Sequence, residues 1–116
     1  MGKLTTHVLD TTSGTPAEGV KWILRHVTDE PVEIARGQTN ADGRSDTPLL
    51  SGPTLIAGTY ELEFQVASYF RDQGITLPEP AFLDDVVLRF GVADVGDNYH
   101  VPLLVSPYGY STYRGS

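Results

Sequence analysis

Two imidazoles, two guanidinium groups and a closing tetrapeptide are the groups in this 116-residue sequence whose types could do chemistry: His7, His100, Arg44, Arg114 and the run Tyr113-Arg114-Gly115-Ser116. An imidazole near its ordinary pKa of about 6.5 can take a proton from water at neutral pH. A guanidinium is a fixed multidentate donor and can hold the negative charge that grows on a carbonyl oxygen. With the α-carboxylate that ends the sequence, such groups form a kit for hydrolysis without a metal. Spacing alone leaves the kit unassembled, because His7, Arg44 and His100 lie far apart in the sequence. Taken singly, each has an ordinary role: a lone strand histidine is usually structural or solvated, and a loop arginine is usually solvated. His26 alternates with Trp22 and Leu24 and reads as packing or strand-end solvation. There is no serine elbow, thiol, metal-ligand spacing, phosphate loop or dinucleotide fingerprint, so neither a metal nor a cofactor is expected. The closing tetrapeptide follows a run dense in rings and turn formers, Tyr99 to Thr112. It reads as part of a site or an interface rather than a frayed tail.

The elements that must position these residues are almost all strands. In a first strand from Leu4, alternation places Leu4, Thr6 and Val8 on one face and Thr5, His7 and Leu9 on the other. Asp10 to Pro16 is a turn cluster, and Val20 to Val27 is a second strand. Val32 to Gly37 is a weaker third. Thr39-Asn40-Ala41-Asp42-Gly43-Arg44 is a loop of turn formers. Thr59 to Val66 alternates cleanly, and a short helix before Gly74 follows. Val86 to Val92, Tyr99 to Val105 and a short closing strand, Thr112 to Arg114, complete the set. His100 points opposite to Tyr99, Val101 and Leu103. Ser45 to Gly58 is the longest irregular stretch, with room for an edge strand that the pattern does not place. Seven to eight short strands and one short helix imply an all-β, antiparallel β-sandwich formed as a single domain over 1–116.

Composition narrows the partners. A net charge of −7 offers no basic stripe for a phosphate backbone, so no nucleic-acid partner is expected. No apolar stretch is long enough to cross a bilayer, and no leader precedes Leu4, so no membrane partner is expected. The absence of cysteine rules out a disulfide framework. A cytoplasmic location is expected, with a peroxisomal one requiring an upstream targeting segment.

Three segments carry a resemblance to a known family. They are His7-Val8-Leu9-Asp10 with Gly14-Thr15-Pro16-Ala17; Thr39 to Arg44; and Tyr99 through Ser116. Together they resemble the 5-hydroxyisourate hydrolases, transthyretin-related enzymes of urate breakdown. The resemblance implies a transthyretin-like sandwich assembled as a homotetramer, with active sites at the dimer–dimer interface. It implies hydrolysis of 5-hydroxyisourate to 2-oxo-4-hydroxy-4-carboxy-5-ureidoimidazoline, a step of purine catabolism. It also implies roles by position: His7, Arg44 and His100 catalytic, and Tyr113, Arg114, Gly115 and Ser116 binding substrate. Asn98 stands where the family often has a second histidine. Phe82-Leu83-Asp84 replaces its aromatic-proline step. The chief alternative is a non-catalytic transthyretin-like carrier of small ligands. A structural sandwich, such as an adhesion module, is the other.

Overall fold

A computed structural model describes residues 2–115. The first strand, β1 (Lys3–Asp10), buries Leu4, Thr6, Val8 and Asp10 and leaves Thr5, His7 and Leu9 half-buried on its other face. This is the two-residue period of a strand with one face on a core. The same logic builds β3 (Lys21–Val27), which buries Trp22 and Leu24, and β6 (Gly58–Gln65), which buries Tyr60, Leu62 and Phe64. β7 (Asp85–Val92) buries Val86, Leu88 and Val92, and β8 (Tyr99–Ser106) buries Tyr99, Val101, Leu103 and Val105.

These strands form the two layers of a sandwich. One sheet runs β4 (Pro31–Gln38), β3, β6, β7. The other runs β2 (Thr15–Pro16), β1, β8, β9 (Gly109–Thr112), with β5 (Leu50–Ser51) also on β1. All pairings are antiparallel except one: β1 and β8 run parallel down the middle of their sheet. Alternation sets which side chains face inward but carries no information about strand direction, so the parallel pair is a finding of the structure. Leu4, Val8, Leu103 and Val105 on one sheet and Leu24, Tyr60, Leu62 and Phe64 on the other meet in a common core. Each such side chain contributes about 1.5–3 kcal/mol on burial.

The helix α1 (Val66–Asp72) follows β6 directly and adds Val66 and Phe70 to the core. Gly74 follows its cap at φ +85, the left-handed conformation expected just past a helix end. The Tyr69 hydroxyl donates to Asp10 Oδ2 at 2.8 Å and ties the helix to the end of β1. Burial and that carboxylate together push the Tyr69 phenol well above its ordinary range.

Besides β2, which falls inside the expected turn cluster Asp10 to Pro16, two details differ from the sequence reading. The closing strand is Gly109–Thr112 rather than Thr112 to Arg114, because the chain reverses at Ser106–Gly109 and pairs at once with β8. The irregular stretch holds β5 and a short 3-10 turn at Gly52–Thr54. β5 has two residues and exists only through its pairing with Lys3 and Leu4, so no local pattern marks it.

Candidate active site

The parallel register of β1 and β8 sets Thr5 beside His100 and His7 beside Pro102. Thr5, His7 and His100 thus share the face of this sheet turned away from the core. The two imidazole rings lie 6.5 Å apart between centroids, tilted by 40°. The Thr5 hydroxyl is 2.8 Å from Nδ1 of His100.

Arg44 reaches this face along the outer edge of β1. The loop that carries it is anchored by Thr39, a buried residue whose hydroxyl donates to the Ala17 carbonyl at 2.6 Å and accepts from the Val20 amide at 2.9 Å. Asn40 then folds the loop on itself: its side-chain oxygen accepts from the amides of Asp42 and Arg44 at 2.9 and 3.1 Å. Gly43 closes the turn at φ +75, and its carbonyl accepts from the Val8 amide at 2.8 Å. A side chain has no room there, since a Cβ would lie 2.3 Å from the Val8 carbonyl oxygen. Arg44 comes out paired, backbone to backbone, with His7. The outer edge of β1 is therefore covered in turn by β5, Arg44 and β2.

The chain end comes in from the opposite side. Beyond β9, the Gly115 amide donates to the His100 carbonyl at 2.7 Å. A Cβ on Gly115 would lie 2.6 Å from Cδ2 of His100, so the imidazole needs the bare α-carbon. The neighbouring Arg114 goes elsewhere: its guanidinium stacks 4.2 Å above the Tyr99 ring and donates to the Asn98 carbonyl at 3.0 Å. Tyr99 belongs to the core-facing set of β8, so Arg114 stands away from the His100 face. Tyr113 is exposed. Ser116 lies outside the described residues. His26 packs its ring 5.0 Å from Tyr60, remote from the other two histidines, as its alternation with Trp22 and Leu24 implies.

Electrostatics suit a base. Burial, then the Arg44 charge, lowers the pKa of His7, against a smaller upward pull from the Asp42 backbone. Burial, Arg44 and His7 lower that of His100. Both rings are thus neutral at pH 7, with a lone pair to offer. Among the described residues, no group of three His, Cys, Asp or Glu side chains could hold a metal ion.

The largest hollow described lies apart from the two imidazoles. A hollow of about 430 Å³ opens where the sheets part between β7 and β9, lined by Phe90, Tyr99, Tyr110, Tyr113 and Arg114 among others. Neither imidazole lines it. A groove of about 180 Å³ is lined by Thr5 and Arg44 with Ser45 and Pro48, again without either imidazole. The candidate site is therefore taken from the titratable groups and Arg44, because chemistry needs them and volume does not supply it. Thr5 is the member of this group to which the sequence reading assigned no role. Its signal was its place two residues before His7 on one face of one strand.

The description of the HIUase/transthyretin family matches residues 4–115. The chain belongs to that family. A 5-hydroxyisourate hydrolase of Ralstonia nicotianae is 57% identical over 119 residues, the alignment covering all of both chains. An (S)-allantoin synthase structure superposes with a TM-score of 0.94 at 43% identity; the match covers 99% of this chain and 44% of the synthase chain. Sea bream transthyretin in complex with thyroxine superposes at 0.87 and 29% identity, covering 97% of this chain and 94% of that one. The similar proteins thus include one named a hydrolase and one solved in complex with thyroxine.

Proposed function

We propose that this protein hydrolyses 5-hydroxyisourate, opening the six-membered ring by water attack on the C6 carbonyl. The observation that carries the reading is the convergence of His7, His100 and Arg44 on one sheet face, with both imidazoles neutral at pH 7. In this reading an imidazole takes a proton from water. Arg44 holds the oxyanion or orients the ring. Gly115, packed against the His100 ring, borders the substrate, whereas Arg114, stacked on Tyr99, stands away from that face. The Ralstonia nicotianae relative, a 5-hydroxyisourate hydrolase, supports the same activity. A carrier of small aromatic ligands would line its site mostly with apolar groups, whereas this face presents titratable ones.

The face is open in one subunit. The groove of about 180 Å³ beside Arg44 falls below the roughly 300–1,000 Å³ usual for ligand pockets. A second surface is needed to exclude water. This supports a homotetramer in which facing sheets of two dimers close the sites. The protein works as a single domain over 1–116, in the cytoplasm. No described helix is long and apolar enough to cross a membrane.

Single replacements of His7, Arg44 and His100 test the assignment. Each should slow turnover by a factor of about 10²–10⁴. Wild-type rates in all three would refute it. Deleting Tyr113–Ser116 should abolish activity and preserve the fold if the protein is an enzyme, and change nothing functional if it is a structural module.

A further inference from the structure

The His100 ring is gripped from two sides. Its Cδ2 edge presses on the bare α-carbon of Gly115, where a Cβ would lie 2.6 Å away. Nδ1 lies across the ring from that edge, and it meets the Thr5 hydroxyl at 2.8 Å. The remaining nitrogen, Nε2, is directed away from the strand. His100 is the sole hydrogen-bond partner of the Thr5 hydroxyl among the described residues. Donation from that hydroxyl to Nδ1 places both the hydroxyl proton and the ring lone pair within the protein, whereas the reverse leaves the hydroxyl proton to solvent, which a covered site would exclude.

We infer that Thr5 is a positioning residue whose hydroxyl keeps the proton of His100 on Nε2, so that His100 polarises the substrate carbonyl and His7 moves the proton. The inference rests on the hydrolase reading for its chemistry. A neutral imidazole can serve as an electrophile through its N–H, provided its charged form is disfavoured. Arg44 and His7 are the groups that face His100, Arg44 from the loop on the outer edge of β1 and His7 from β1 itself. They act with burial to disfavour the imidazolium. Gly115, on the other flank, brings no side-chain charge. His7 has the complementary arrangement. No side-chain partner among the described residues engages its ring, which leaves a nitrogen lone pair free to take a proton.

The step balances. The water oxygen bonds to the carbonyl carbon while His7 takes a water proton. The carbonyl electron pair moves onto its oxygen, held by Arg44 and the Nε2–H of His100. The carbon–nitrogen bond then breaks towards nitrogen, which receives the proton from His7, and the oxyanion collapses to the carboxyl product. His100 keeps its proton throughout, so no imidazolate is required.

Two measurements test this on the full chain. In ¹⁵N spectra of histidine-labelled protein, with His100 assigned through His100→Gln, the His100 signals should show a protonated Nε2 and an unprotonated Nδ1. In Thr5→Val the same ring should become a tautomer mixture. In assays, Thr5→Val should lose about tenfold in kcat with KM little changed, and Thr5→Ser should recover most of it. A wild-type ring protonated on Nδ1 overturns the inference, even if Thr5→Val does not fold. So does a Thr5→Val protein with unchanged tautomer and unchanged kcat. Absence of hydrolysis by the wild type refutes the functional reading instead, and the ring spectrum still decides the part played by Thr5.

Discussion

Replacing Gly43 by alanine should damage catalysis far more than folding. Gly43 sits at φ +75, where an L-residue costs about 1–2 kcal/mol. Its Cβ would lie 2.3 Å from the Val8 carbonyl oxygen, against the roughly 3.4 Å of ordinary contact, so loop and strand must part by about an ångström. Arg44 is the next residue and is paired with His7, so that displacement falls on the guanidinium and an imidazole together. Misplacement by about 1 Å can cost about 10²-fold in rate. Gly74→Ala is the matched control. Gly74 lies at φ +85, a Cβ there meets nothing within 4 Å, and the helix end that carries it is remote from the site. Gly74→Ala should lose about 1–2 kcal/mol, or about 5–10 °C in Tm at one fixed protein concentration, and Gly43→Ala somewhat more, because its Cβ also meets the backbone of β1. Gly43→Ala alone should lose about 10²-fold in kcat/KM, measured well below its Tm. Equal activity in the two variants would refute the argument that Gly43 places Arg44.

Other expectations follow from the same geometry. Gly115→Ala should press on the His100 ring and slow turnover while leaving the circular dichroism spectrum unchanged; a wild-type rate would count against the close approach. The acid limb of kcat/KM should fall below pH 6.5, because burial and Arg44 lower the pKa of both His7 and His100; a limb above 6.5 would contradict that. For stability the sign follows from proton counting. The unfolded chain takes up these protons first as pH drops, so the contribution is complete above about 6.5 and lost below it, which denaturant titrations across that window would show. Tyr69→Phe should cost about 1.5–3 kcal/mol by removing the hydroxyl that donates to the buried Asp10 carboxylate, with kcat unchanged at permissive temperature.

Much of the scaffold is visible in single strands. The alternation of Leu4, Thr6 and Val8 placed His7 on the outward face of β1, and Tyr60, Leu62 and Phe64 announced β6, because a half-buried strand must repeat every two residues. Gly74 marked the helix end for a conformational reason that local sequence records. What stayed hidden depends on partners. β2 and β5 have two residues each and are defined by the edge of β1 on which they lie. The parallel alliance of β1 with β8, which brings Thr5 to His100, leaves no mark in either strand alone. The gathering of His7, Arg44 and His100 was an implication of resemblance, since spacing gave no reason for it. The stacking of Arg114 on Tyr99 depends on where the chain runs after β9, beyond the reach of any period.

The most direct measurement follows the decay of freshly generated 5-hydroxyisourate spectroscopically, with a protein-free control for its spontaneous breakdown. The account predicts decay that accelerates in proportion to added wild-type protein and returns close to the spontaneous rate when His7→Asn or His100→Asn replaces it. Decay at the spontaneous rate in the presence of folded wild-type protein would contradict it.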